Sequence, residues 1–161
     1  MEAKLLERIK EQLVRHEGLR LKPYRCTAGK LTTKRNGFPI RSGMTDDCGI
    51  SQTEAYVLLE NDIQNCQKQL LDEIPETYDS LDEIRKSVLL NMCISIPQSR
   101  FAPLREPCYL GINGLLGFKN TLAFIQAGDW ERAANGMLAS KWAKQVGLRA
   151  IELSELMRKG Q

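Results

Sequence analysis

Glu17, Cys26 and Thr32 fall in one short stretch with the spacing Glu-x8-Cys-x5-Thr. They supply an acid, a thiol and a hydroxyl. Hydrolysis of a glycosidic bond needs such a set: a carboxylic acid protonates the leaving oxygen, and groups on the other sugar face hold or deprotonate the attacking water. The spacing alone occurs by chance in many chains, but its context adds to it. Gly18 follows the acid, where glycine can end a helix in a left-handed turn. Gly29-Lys30 suits a tight hairpin turn leading to Thr32. A carboxyl at a helix C-terminus sits where negative charge is disfavoured. If a groove also desolvates it, its pKa rises and it holds a proton near neutral pH. By residue type alone, Glu17 also reads as a solvated surface carboxylate, Cys26 as a small buried filler and Thr32 as a β-branched strand residue.

The flanking elements must position these groups. Leu5, Leu6, Ile9, Leu13 and Val14 recur at helical spacing and predict a first amphipathic helix ending near Gly18. From 19 to 50, Gly, Pro and Thr are frequent, and short Leu/Tyr/Thr segments read as small strands and turns. Ser51-Gln52-Thr53-Glu54 is a capping box. It opens a long helix with Ala55, Leu58, Leu59, Ile63, Cys66 and Leu70 on one face. Ser80-Leu81-Asp82-Glu83 reads as a second capping box, leading into Ile84, Val88, Leu89 and Met92. Pro97, Pro103 and Pro107 interrupt helix after it. Beyond Leu115 the chain reads as short helices, with Gly128 and Gly147 as stops and Asp129 as N-cap. Trp130, Ala133, Ala134, Met137 and Leu138 form an apolar face, and Trp130 and Trp142 are expected in the core. The sum predicts an α+β fold: a small β-hairpin lobe joined by a long helix to a mainly helical lobe, with a groove between.

A chain of 161 residues is expected to form one domain, 1–161, large enough to bury a core without disulfides. Its expected parts are a β-lobe over about 17–50, a connecting helix over about 52–70, and a helical lobe over about 80–161 that includes the N-terminal helix 2–16. The net charge of +3 slightly favours an anionic partner such as a bacterial wall. No Lys/Arg run is interleaved with aromatics, which argues against nucleic acid. The five cysteines, Cys26, Cys48, Cys66, Cys93 and Cys108, are odd in number and loosely spaced. They read as free thiols in a reducing cytoplasm rather than a disulfide framework. With His16 the single histidine and no CxxC, no metal site is expected. The charged, helical N-terminus is no secretory leader, and no apolar run is long enough for stable membrane insertion.

The stretch from His16 to Thr32 resembles the active-site opening of bacteriophage-type lysozymes, the endolysins that cut peptidoglycan. In that family the Glu is the essential acid, and an Asp or Cys and a Thr follow at this spacing. A second resemblance runs through Gly111-Ile112-Asn113-Gly114-Leu115 and Phe118-Lys119-Asn120-Thr121-Leu122. It continues through Gly128-Asp129-Trp130-Glu131-Arg132, Ser140-Lys141-Trp142 and Arg149-Ala150 to Met157-Arg158-Lys159-Gly160. Together the two matches cover most of the chain in family order. The resemblance implies a two-lobed fold and a glycoside hydrolase, a muramidase cutting the β-1,4 bond between N-acetylmuramic acid and N-acetylglucosamine. It implies Glu17 as acid, with Cys26, in the place many relatives fill with Asp, and Thr32 holding the water. It also implies that Arg149 pairs with the acid and that Thr121 faces the sugar groove. No cofactor is implied, and a monomer is expected. The implied setting is the host cytoplasm, with access to the wall after membrane permeabilisation.

The resemblance breaks in two places. Relatives continue after the catalytic Thr with Ile-Gly-x-Gly, whereas this chain has a longer loop over 33–47 without those glycines. Relatives also have an aromatic and an amide after the counterpart of Asn91-Met92, where this chain carries the segment 93–110. The alternative expectation is therefore a rebuilt, catalytically impaired lysozyme scaffold that acts by binding.

Overall fold

The computed structural model describes residues 3–17, 24–25, 31–32, 51–95 and 111–160. The elements in chain order are α1 (Ala3–Glu17), β1 (Tyr24–Arg25), β2 (Leu31–Thr32), α2 (Gln52–Glu73), α3 (Pro75–Asp79) and α4 (Glu83–Ser95). They continue with α5 (Ile112–Leu116), α6 (Lys119–Gln126), α7 (Trp130–Leu138), α8 (Lys141–Val146) and α9 (Leu148–Lys159).

The α+β expectation is corrected here. The described residues are overwhelmingly helical, and strand is confined to two segments of two residues each. β1 and β2 pair antiparallel, Tyr24 opposite Thr32 and Arg25 opposite Leu31. A ladder of two residues per strand does not constitute a β-lobe; independent sheets need more strands over a shared apolar side. The loop segments 33–47 and 96–110 lie outside the described residues.

The helices follow their apolar stripes. In α1, Leu5, Ile9 and Leu13 are buried one turn apart. The α2 capping box forms as expected: the Glu54 backbone N–H donates to Ser51 Oγ (3.2 Å), and the Ser51 N–H donates to Glu54 Oε2 (2.8 Å). The backbone bond from Ser51, together with its hydroxyl, holds the exposed Glu54 carboxyl below its ordinary pKa. Ala55, Leu59, Ile63, Cys66 and Leu70 make the buried face of α2, while Leu58 points outward, exposed. Pro75 at the head of α3 separates it from α2.

The second capping box does not form. Ser80 instead closes α3, its hydroxyl donating to the Thr77 carbonyl (2.8 Å). The capping role for α4 passes to Asp82, which accepts from the Arg85 backbone N–H (3.0 Å). The cap residue sits at the helix start the backbone adopts, and the preceding short helix has already used Ser80.

Helix α4 is the hub. Val88, Leu89, Leu90, Asn91, Met92 and Cys93 are all buried, so it is enclosed on every side. It packs against α1, α2, α5 and α9. One hydrophobic cluster runs from Leu5 of α1 to Met157 of α9. Trp142 is buried within it and meets Phe118 edge to face (6.3 Å between centroids). Trp130 is half-buried, with the Arg85 guanidinium 4.0 Å from its ring centroid. Asp129 caps α7 as expected, accepting from the Arg132 N–H (3.0 Å).

Gly111 fixes the approach of α5 to α4. Its φ is +98°, and a Cβ there would lie 1.7 Å from the Cys93 carbonyl oxygen. Gly111→Ala combines a strained backbone with a clash against a helix end, so it should lower unfolding free energy by about 3 kcal/mol or more. Urea titration measures this; a loss below about 1 kcal/mol contradicts the packing.

The Asp82 carboxyl is pulled two ways. Burial pushes its pKa up, but the backbone and side-chain hydrogen bonds from Arg85 and the Arg85 charge outweigh this and hold it below the ordinary value. A carboxyl depressed in the folded state stabilises above its unfolded pKa of about 3.9, and that contribution disappears as pH falls through the folded pKa. Asp82→Asn should therefore lose stability at pH 6 but little at pH 2. Equal losses at both values would show that the ionised form is not what stabilises α4.

Candidate active site

Two helix ends meet where the sequence places Glu17 and Arg149. The backbone of α1 closes at Glu17, whose side chain lies outside the described parts. Basic residues Arg15 and His16 occupy its last turn, where the negative end of the helix dipole favours them. Across from it, Gly147 (φ +57°) turns the chain from α8 into α9, and Arg149 follows in the first turn of α9. The two ends border an open cavity of about 430 Å³ lined by Arg15, His16, Gln145, Val146, Leu148 and Arg149.

Arg149 is 8% exposed. A charge so enclosed needs hydrogen bonds, because desolvation otherwise costs several kcal/mol. Its Nε donates to Asn91 Oδ1 (2.8 Å) in the middle of α4. The Asn91 amide in turn donates through Nδ2 to Gln12 Oε1 (3.3 Å) on α1. Asn91 and Gln12 are both buried. This polar relay crosses the core from α9 through α4 to α1, and it sets the guanidinium beside the last turn of α1.

A second connection lies nearer the surface. His16 Nε2 is 2.9 Å from Glu152 Oε2, and Arg15 ion-pairs with the same carboxylate. Glu152 lies three residues after Arg149, on the same side of α9. Two apolar side chains stand exposed at the start of α9: Leu148, which lines the cavity and is 82% exposed, and Ile151 one turn along.

The other candidates are placed differently. Cys26 lies outside the described residues. Thr32 belongs to β2 opposite Tyr24, with its side chain outside the described parts. Thr121 is not among the residues lining this cavity. It is 5% exposed between α6 and α7, and its Oγ1 would be 2.5 Å from a Cβ on Gly136. Gly136 thus lets the two helices close over Thr121, which leaves little of that side chain to meet a ligand.

Sequence reasoning missed Gln12, Asn91 and Glu152. Asn91 carried a signal: an amide inside the run Val88–Cys93 must find partners once buried. Among the described residues, no three His, Cys, Asp or Glu side chains gather as a metal site. No described helix is long and apolar enough to cross a membrane. Cys66 and Cys93 are free and buried. The hydrogen bond to Cys93 and burial push the Cys66 thiol well up, so it stays protonated and unreactive.

Residues 14–159 match the phage lysozyme family model, nearly the whole chain. The chain belongs to the phage lysozyme family. It is 24% identical over 178 aligned positions to the probable T4-type lysozyme 1 of Dictyostelium discoideum, covering 97% of this chain and 96% of that protein. It is 25% identical over 171 positions to the pre-baseplate central spike protein Gp5 of Enterobacteria phage T4, covering 93% of this chain but 27% of the spike protein. Family membership thus extends over the helices that carry the relay, from Asn91 on α4 to Arg149 on α9, and takes in the end of α1.

Asn91→Ala would strand Arg149 Nε and Gln12 Oε1 in this phage lysozyme core. The expected cost is about 2–3 kcal/mol in denaturant unfolding. Combined with Arg149→Met, the loss should be clearly less than additive, because the two side chains share one hydrogen bond. Additive losses would mean that the relay is not coupled.

Proposed function

We propose that this chain is a peptidoglycan muramidase that hydrolyses the β-1,4 bond between N-acetylmuramic acid and N-acetylglucosamine, in the setting of host-cell lysis. The observation that carries the reading is the family match over 14–159, joined to the placement of Arg149 beside the last turn of α1. In this reading Glu17 is the general acid. Its position at the C-terminal end of α1 disfavours the carboxylate, and Arg149 opposes that effect while fixing the direction of the carboxyl. Glu17 protonates the leaving glycosidic oxygen, and water attacks from the other sugar face. Cys26 and Thr32 hold that water. A thiol with an ordinary pKa near 8.5 is mostly protonated at neutral pH, so Cys26 acts by hydrogen bonding more than as a base. No metal or cofactor takes part. The protein is made in the host cytoplasm and reaches the wall once the membrane is permeabilised, acting as a monomer.

The test is digestion of purified peptidoglycan by the parent and by Glu17→Gln, with released fragments identified by mass spectrometry. The parent should release fragments with reducing N-acetylmuramic acid ends. Glu17→Gln should be slower by about 10²–10⁴-fold, the usual worth of a positioned acid. Equal release by both would remove Glu17 as the acid. No release by a folded parent under reductant would overturn the muramidase reading in favour of a scaffold that binds the wall.

A further inference from the structure

The cluster formed by Arg15, His16 and Glu152 is not accounted for by the proposed chemistry. Glu152 accepts from two successive residues of α1, His16 through Nε2 (2.9 Å) and Arg15 through its guanidinium. The His16 side chain is 9% exposed, yet its Nδ1 is buried without a hydrogen-bond partner among the described residues. A buried N–H without an acceptor is costly, so the proton of the neutral ring belongs on Nε2, facing the carboxylate. The ring is therefore held in one tautomer and one orientation by a residue of another helix. His16 immediately precedes Glu17 in sequence, and Glu152 follows Arg149 by one helical turn on the same face of α9. Among the described residues, the charged and polar groups around the ring are Arg15 on its own helix, Gln145 on α8, and Arg149 and Glu152 on α9.

We infer that Glu152 is a positioning residue: by bonding His16 and Arg15 it fixes the last turn of α1, and with it Glu17, against the segment of α9 that carries Arg149. The buried relay through Asn91 ties α9 to α1 at Gln12, more than a turn before Glu17, whereas the Glu152 bonds engage the terminal turn itself. Helix ends fray unless held, and Glu17 is the last residue of its helix. The catalytic consequence rests on Glu17 being the acid of a muramidase; the fastening of α1 to α9 does not.

The test compares Glu152→Gln with Glu152→Ala in the full chain. Both remove the charge, but Gln keeps an oxygen able to accept from His16 Nε2. A difference between them therefore reads the hydrogen-bonding side chain apart from its charge. Because His16 is the single histidine, long-range ¹H–¹⁵N spectra report its tautomer without assignment. The parent and the Gln variant should show the Nε2–H form, and the Ala variant a mixture. The carboxyl ¹³C titration of Glu17, assigned with Glu17→Gln, should have a higher midpoint in Glu152→Ala than in Glu152→Gln, as the released turn carries Glu17 away from Arg149. On peptidoglycan, kcat should fall about tenfold to a hundredfold in the Ala variant with KM little changed, and Gln should restore most of it. Arg158→Ala, which removes surface pairs with Glu131 and Glu155 further along α9, serves as the comparison for a general loss of stability and should leave kcat unchanged. An Nδ1–H or mixed tautomer in the parent, or the same Glu17 midpoint in both Glu152 variants, overturns the inference even if the parent is active. If the parent cleaves nothing, the muramidase reading fails, while the tautomer and the Glu17 midpoints still decide whether Glu152 fastens the turn.

Discussion

The burial of one guanidinium constrains the rest of the molecule. Arg149 is enclosed at the start of α9, a helix end whose dipole disfavours a cation. It is tolerated because Asn91 accepts from it, and Asn91 is itself acceptable in an apolar helix because Gln12 accepts from its amide. Each group makes the next one's burial possible. The geometry leaves little freedom: α1, α4 and α9 must meet at one register for both bonds to close. The hydrophobic cluster could tolerate small slides of one helix on another, whereas the relay cannot.

The same helix grips α9 at its far end. Arg85, on the first turn of α4, donates from Nε to the Met157 carbonyl (2.8 Å) and from a terminal nitrogen to the Arg158 carbonyl (3.0 Å). These are among the last carbonyls of α9, which lack partners within the helix, and a cation there also suits the dipole. Asp82 and the face of Trp130 hold the guanidinium in place. Helix α4 thus supplies a cation to one end of α9 and an amide to the other. Whatever chemistry occurs at the end of α1 takes place against a helix that cannot readily tilt.

Much of the fold was legible where the cause is local. The stripe Leu5, Ile9, Leu13 and the stripe from Ala55 to Leu70 announce their helices, and Ser51 with Glu54 announces where one begins. Leu58 was misread because a window of apolar letters does not fix the face when two leucines adjoin. Ser80 was misread because a short helix ahead of it claimed its hydroxyl. The β-lobe was over-read from Gly, Pro and Thr content, which signals turns more surely than it signals sheet. The candidate site was legible in part. Arg149 lies beside the last turn of α1, but its route there, through Asn91 and Gln12, joins residues 79 and 58 positions apart, and no local pattern encodes that. Thr121 was assigned to the groove by its place in the family text. Its letter alone could not reveal that Gly136 opens a seat for it between two helices.

Membership of a fold family does not by itself establish chemistry, so the weight falls on what stability leaves unexplained. A buried ionic or polar group is weak evidence of stabilisation; well-packed apolar side chains of similar volume in place of such groups are often neutral or better. Gln12, Asn91 and Arg149 could in that sense be exchanged together for apolar residues without loss to the core. The core therefore does not require a charge at the junction of α1, α8 and α9. The Arg85 cluster differs: there the cation satisfies the carbonyls of a helix end, and folding alone accounts for it. At Arg149 the relay secures a cation beside a cavity and beside the residue preceding Glu17, at the dipole-disfavoured end of its helix. A charge held there at a cost to folding is best understood as serving a reaction or a ligand at that cavity.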